Sequence, residues 1–241
     1  MKYSFVIPVY NERINIESAA NEIRNKFDSY SKDYEILFVD DNSPDGTGEE
    51  VMKLALKDDR IKLFQHGKKN GLGAAIKYGY LQTQGQFIIG IDVDLSQSVD
   101  DLLKMIRFMK NNKADMVIGS RYTKGGKQIN KPWVRDFASK SMNYLVSKIL
   151  RMQIYDLSHT FRVFDRKIID NIKNLLVENG HPSFMTEFTY FAKKKNFKIL
   201  EYPIIFIERD ASKGVSKLSV TKEIPSYLKF ILKLIRDDKI K

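Results

Sequence analysis

One alternation constrains this chain more than any other feature. Five short apolar, β-rich runs, YSFVIPVY (Tyr3–Tyr10), YEILFVD (Tyr34–Asp40), RIKLFQH (Arg60–His66), GQFIIGID (Gly85–Asp92) and ADMVIGS (Ala114–Ser120), are spaced along its first half. Stretches of helical spacing lie between them. Ile14, Ile16, Ala19, Ala20, Ile23 and Phe27 share one helix face, and further helices are expected over Glu49–Lys57, Asn70–Thr83 and Val99–Asn112. Strands alternating with helices of this length predict an α/β fold with a mostly parallel sheet and helices on both faces. The strands read as continuous apolar runs, as strands covered on both faces do. Open sheets of this kind bind ligands beyond the carboxyl ends of their strands. Polar clusters stand at those ends: Tyr10-Asn11-Glu12, Asp40–Gly46, Asp92-Val93-Asp94 and Ser120-Arg121-Tyr122. The fold therefore gathers them into a pocket on one rim.

After Arg121 the pattern changes. Thr123–Pro132 reads as a polar, glycine-containing loop and Trp133–Leu150 as a helix, with Phe137, Met142, Leu145, Val146 and Ile149 on or near one face. DLSHTFRVF (Asp156–Phe164) reads as a loop entering a short strand, followed by helices around Lys167–Leu176 and Met185–Lys195. Phe197–Arg209 reads as one long strand and Asp210–Lys217 as a loop. No linker or repeat divides the chain, so a single domain is expected over residues 1–218. Residues 219–241 are expected to form a basic amphipathic helix, in which Ile224, Tyr227, Leu228, Ile231 and Ile235 follow helical spacing. That helix suits a membrane interface, a partner subunit or its own domain.

Composition narrows the chemistry. Of 241 residues, 43% are hydrophobic and 29% charged, an ordinary folded balance with a sizeable core. There is no cysteine, which excludes disulfides and thiolate metal sites. His66, His159 and His181 are not at ligand spacing, so a zinc site is not expected. The net charge of +11 favours an anionic partner, or serves solubility. No arginine-rich tail or aromatic-basic repeat points to nucleic acid. The chain enters its first strand without a signal peptide, and no run of about 18 apolar residues exists to span a bilayer. GKKNGLG (Gly67–Gly73) is neither a P-loop nor a dinucleotide fingerprint; Gly71 and Gly73 allow tight helix packing or line a substrate.

Asp92 and Asp94 end an apolar strand with one residue between them. At the frayed end of the strand both carboxylates can turn to one hard cation. Mg²⁺ takes one or two carboxylates and completes its shell with water and phosphate oxygens. The pair therefore suits a metal–diphosphate clamp, against the alternative of a solvated turn.

Together VIPVYNE, FVDDNSPDGT, NGLGAAIKYG, IDVDLSQS, GSRY, DLSHTFRVF and FIERDASKGVSKL resemble, in order and from Val6 to about Leu218, the polyprenyl-phosphate hexose synthases. Within that family the similarity is greatest to the catalytic subunits of dolichyl-phosphate mannose synthases. The resemblance implies a GT-A (Rossmann-like) fold and an inverting transfer of a hexose, mannose from GDP-mannose in preference to a UDP-sugar, to a polyprenyl or dolichyl phosphate. It implies Mg²⁺ or Mn²⁺ at Asp92 and Asp94, with Val93 between them. Pro8, Tyr10 and Glu12 would line the nucleotide pocket, and Val39 and Asp41 would meet base and ribose. Arg121 would approach the donor, Arg135 and Ser139 would hold the acceptor phosphate, and Arg209 and Lys217 would close over the diphosphate. A membrane surface or a small anchoring subunit is the implied partner, with the enzyme peripheral on the cytoplasmic face. A saccharide acceptor is less favoured, because the chain lacks Q-x-x-R-W. The chain departs from the family at His159, where a small residue is usual, and in a loop from Arg209 to Lys217 that is about two residues longer.

Overall fold

The computed structural model describes residues 1–65, 67–176, 183–207, 227, 229–232 and 234–236. Its strands are β1 (Tyr3–Val9), β2 (Tyr34–Asp40), β3 (Ile61–Gln65), β4 (Phe87–Gly90), β5 (Met116–Ser120), β6 (Lys127–Ile129), β7 (Arg162–Asp165), β8 (Ile199–Pro203) and β9 (Ile205–Ile207). Its helices are α1 (Ile16–Phe27), α2 (Thr47–Ala55), α3 (Leu72–Gln82), α4 (Val99–Asn111), α5 (Trp133–Ile149), α6 (Lys167–Ile172) and α7 (Phe184–Lys194). Seven strands make one sheet in the order β3-β2-β1-β4-β7-β5-β8, and β6 pairs with β9 in a second, two-stranded sheet.

The pleat of each strand divides its side chains between two cores. On one face, Phe5, Ile7, Phe38 and Ile89 pack with Ile23 and Phe27 of α1, Val51 of α2 and Leu102 and Met105 of α4. On the other, Val6, Val39, Ile88 and Phe164 pack with Ile76 and Tyr80 of α3, Ile168 of α6 and Phe184 and Phe188 of α7. The result is the expected three-layer α/β/α arrangement. Tight packing of α3 depends on Gly79: a Cβ there would lie 2.5 Å from Val6 Cγ1 and 2.7 Å from Val39 Cγ2. Gly71 has a different duty. It caps the start of α3 at φ +88°, a conformation glycine adopts without penalty.

Three sequence expectations are corrected. The Phe197–Arg209 run does not stay one strand. β8 pairs parallel with β5 as far as Ser120↔Pro203, the chain turns at buried Ile204, and β9 leaves to pair with β6. Pro203 offers no N–H to continue a ladder. Likewise, Thr123–Pro132 is not all loop. It contains β6, whose Lys127 N–H donates to Ile204 O at 3.0 Å. Gly126 lets this chain reversal close, since a Cβ there would meet Ser120 O at 2.5 Å. Finally, the apolar positions of α5 do not share one face: Val146 and Met142 pack on the core and the others turn outward. Trp133 (80% exposed), Phe137 (67%), Tyr144, Leu145 and Ile149 face solvent, while Asn143, Val146 and Ser147 face the protein. The inner polar groups bind loop backbone: Asn143 Oδ1 accepts from Leu157 N and Ser147 Oγ accepts from Ile154 N.

The other strands are parallel, but β7 runs antiparallel between β4 and β5, with Arg162 opposite both Gly90 and Ile118. An antiparallel strand starts where its parallel neighbours end. The segment 156–161 is thereby delivered to the same rim as the carboxyl ends of β1, β2, β4 and β5.

At the C-terminal end, residues 229–232 and 234–236 are helical. Ile231 and Leu234 are buried in the α3–α6–α7 core, and Tyr227 Oη is 2.6 Å from Thr186 Oγ1 of α7.

Candidate active site

Each strand end supplies one wall of the rim. After β1, the Tyr10 ring carries the Lys69 ammonium 3.7 Å from its centroid. The Glu12 carboxylate accepts from Asn15 Nδ2 at 2.6 Å, while its N–H donates to Thr47 Oγ1 at 3.0 Å. Pro8 is half-buried within β1. After β2, Asp40 accepts from Ser43 and from Gln65 Nε2, which closes the DNSPDG turn. Asp41 accepts from Asn70 N and Gly71 N, both at 2.7 Å, and so anchors the start of α3. The Val39 side chain is fully buried against Gly79 of α3. Tyr10, Asp41 and the 69–71 backbone thus form one connected wall.

After β4 stand the two aspartates. Asp92 is held by two side-chain donors: Thr160 Oγ1 to Oδ1 at 2.6 Å and Gln97 Nε2 to Oδ2 at 2.7 Å. Asp94 Oδ1 accepts from Ser96 N at 3.0 Å, and Val93 between them is buried. Burial, then the neighbouring Asp94 charge, raises the Asp92 carboxyl above its ordinary value. Two like charges kept close repel each other, and a nearby cation would relieve that repulsion. Among the described residues no cluster of three or more His, Cys, Asp or Glu side chains exists to cage a metal. Two neighbouring carboxylates nonetheless fit a hard divalent ion that keeps water and phosphate oxygens in its shell.

After β5, Arg121 forms a two-pronged pair with buried Asp156, Nε to Oδ2 and Nη2 to Oδ1, each at 2.8 Å. Burial alone would raise the Asp156 carboxyl, but Arg121 holds it below the usual carboxylate range. Behind the pair, Glu201 accepts from Tyr155 N and Asp156 N at 2.9 Å, and burial raises its carboxyl. Arg121 is therefore fixed in direction and its charge matched by a carboxylate.

Arg135 and Ser139 lie one turn apart on α5, both half-buried, and Ser139 Oγ accepts from Lys131 Nζ at 3.1 Å. His159 is buried, its ring edge-on to Phe206 at 5.3 Å. Burial, then Arg121, pushes its imidazole down to about 3, so it is neutral. Arg209 and Lys217 lie outside the described residues. The structure brings Tyr10, Glu12, Asp41, Asp92, Asp94 and Arg121 to one rim, as expected from the strand ends. Reading the sequence missed Lys69, Gln97, Asp156 and Thr160. For Asp156 and Thr160 a signal existed: in DLSHTFRVF the polar cluster precedes its apolar run, the order an antiparallel strand needs to reach this rim.

Comparison with known proteins agrees with this arrangement. Residues 4–173 match the glycosyl transferase family 2 model. The chain is 34% identical over 218 residues to a polyprenol monophosphomannose synthase of Mycolicibacterium smegmatis, covering 89% of this chain and 80% of that protein. It is 34% identical over 239 residues to a dolichol-phosphate mannosyltransferase of Pyrococcus furiosus, covering 98% of this chain and 64% of the longer relative. Among solved structures, a mannosyltransferase from Pyrobaculum calidifontis in complex with GDP-Man and Mn²⁺ shares the GT-A fold, with a TM-score of 0.57, 17% identity and coverage of 86% of this chain and 56% of that one. Sheet order, a carboxylate-lined rim at the strand ends and these similarities agree: the chain is a glycosyltransferase and belongs to glycosyl transferase family 2, among relatives that are polyprenol- and dolichol-phosphate mannose synthases.

Proposed function

We propose that this enzyme transfers a hexose, by preference mannose from GDP-mannose, to a polyprenyl or dolichyl phosphate, inverting the anomeric carbon. The names of the two curated relatives support the sugar and the lipid. The observation that carries the reading is the two-sidedness of α5. Arg135 and Ser139, at i and i+4, share one side of the helix, and Trp133, Phe137 and Tyr144 share the opposite, solvent-facing side. An acceptor with an anionic head and a hydrocarbon tail has a part to match each of these two sides of one helix.

Asp92 and Asp94 would hold Mg²⁺ or Mn²⁺, which when bound neutralises the diphosphate leaving group. Tyr10, Glu12 and Asp41 form the nucleotide wall, with Val39 packed behind it against Gly79. Arg121, steadied by Asp156, faces the donor with a fixed guanidinium. Arg135, Ser139, Arg209 and Lys217 bind the acceptor phosphate and screen it from the donor diphosphate. The acceptor is already ionised near neutral pH, so its attack needs no general base. That agrees with a rim where the buried imidazole of His159, near pKa 3, is too weak a base to serve.

The acceptor places the enzyme at a membrane surface, peripheral on its cytoplasmic face, alone or with a small anchoring subunit. Among the described residues no helix is long and apolar enough to cross a membrane. The described part of the C-terminal helix commits Ile231 and Leu234 to the protein core, which leaves α5 with the broader exposed apolar face. Asp94→Ala is expected to abolish transfer to a polyprenyl phosphate while the melting temperature stays near wild type. Wild-type turnover by that variant would overturn the clamp. A thermal-shift panel of GDP- and UDP-sugars with and without Mn²⁺ tests the donor, since a ligand that binds the folded state raises its melting temperature. The largest shift is expected for GDP-mannose with Mn²⁺.

A further inference from the structure

Thr160, just before β7, and Gln97, just before α4, grip Asp92, and the geometry extends one residue further. The Asp92 N–H points at Gln97 Oε1 at 3.4 Å while Gln97 Nε2 donates to Asp92 Oδ2 at 2.7 Å. An ionised carboxylate can only accept, so chemistry fixes the orientation of the amide: its nitrogen faces Asp92. That nitrogen has a second hydrogen, and His159 Nε2 lies 3.4 Å away. For Nε2 to accept it must carry a lone pair, which puts the imidazole proton on Nδ1.

Beyond that contact the ring is held by packing, and its buried Nδ1 has no hydrogen-bond partner among the described residues. His159 is 5% exposed and meets Phe206 at 5.3 Å and Phe161 at 6.4 Å, both edge-on. The His159 carbonyl accepts from Arg162 Nη2, and Arg162 Nη1 donates to Thr189 Oγ1 of α7 at 2.9 Å. Arg162 is fully buried. A chain of hydrogen bonds therefore runs from α7 through Arg162 and the backbone and ring of His159 to the Gln97 amide and Asp92.

We propose that His159 is a positioning residue which, through Gln97, holds the Asp92 carboxylate in the orientation that presents it to the rim. The proposal rests on the reading of Asp92 as a ligand of a divalent ion. Partners of this outer kind typically change metal affinity about 10- to 100-fold when removed. Two substitutions separate hydrogen bonding from packing. His159→Phe keeps a ring without an acceptor, and His159→Gln keeps an acceptor without a ring.

The first measurement needs neither metal nor activity. In ¹⁵N-histidine spectra of the full chain, the His159 ring is expected neutral, with its proton on Nδ1 and Nε2 accepting a hydrogen bond. A proton on Nε2 overturns the relay. The second is the dissociation constant of Mn²⁺ in the presence of GDP, read by electron paramagnetic resonance. His159→Phe and Gln97→Leu are each expected to weaken it about 10- to 100-fold, His159→Gln to stay close to wild type, and the Phe change to add nothing on top of Gln97→Leu. Unchanged Mn²⁺ affinity in His159→Phe, equal losses in the Phe and Gln variants, or additive losses in the double variant would each refute the positioning role. A wild-type chain that binds no Mn²⁺ with GDP removes the metal reading itself and this proposal with it. The two failures are told apart because one shows in the wild type and the other only in the variants.

Discussion

Helices α4 and α5 are both amphipathic, and they use that property in opposite ways. α4 has an N-cap, with Ser98 Oγ accepting from Asp100 N at 3.1 Å, and acidic residues Asp100 and Asp101 in its first turn. It buries Val99, Leu102, Met105, Ile106 and Met109 against the sheet. α5 starts after Pro132 with no side-chain cap, buries Asn143, Val146 and Ser147, and leaves its aromatic stripe in solvent. Amphipathic spacing announces that a helix has an apolar side; it does not say what covers that side. In α4 the cover is this chain's own core. In α5 the inner side carries Val146 and polar groups that bind loop backbone, and Trp133, Phe137 and Tyr144 stay exposed among the described residues. On the proposed function, the lipid phase around the acceptor meets that exposed side.

The contrast can be tested from the largest effect downward. Leu102→Ala in α4 removes a fully buried side chain and is expected to cost about 2–5 kcal/mol in urea unfolding. Asn143→Leu on the inner side of α5 strips the acceptor from the buried Leu157 N–H and should cost about 1–3 kcal/mol. Phe137→Ala on the outer side should move stability by no more than about 0.5 kcal/mol. A Phe137→Ala loss as large as that of Leu102→Ala would mean the outer stripe is core after all. The same outer positions should matter elsewhere. Combining Trp133→Glu with Phe137→Glu is expected to leave unfolding almost unchanged and to weaken flotation with anionic phospholipid vesicles roughly tenfold or more, since burying each such ring is worth about 1.5–3 kcal/mol. Equal flotation of the double variant and wild type would remove the membrane from the account of α5.

The site was legible to different depths. Tyr10, Glu12, Asp41, Asp92, Asp94 and Arg121 could be placed together because each follows an apolar run, and parallel strands bring their carboxyl ends to one rim. What holds those residues in place was not visible. Asp156 is 35 positions from Arg121 and Thr160 is 68 from Asp92. Their pairing depends on β7 entering the sheet in the reverse sense between β4 and β5. Gln97 lies five positions from Asp92, but its contact with the His159 ring spans 62 positions.

The sequence alone therefore determined the repeating unit, the three layers and the acidic rim, because strand and helix periods and the tips that end them are local properties written in short stretches of chain. Only the tertiary structure decided the direction of β7, the break of the late strand at Pro203 and Ile204, the outward turn of α5 and the grip on Asp92. A strand's period is the same read in either direction, and an apolar face is the same whether protein or lipid covers it. Those choices are made by neighbours far away along the chain.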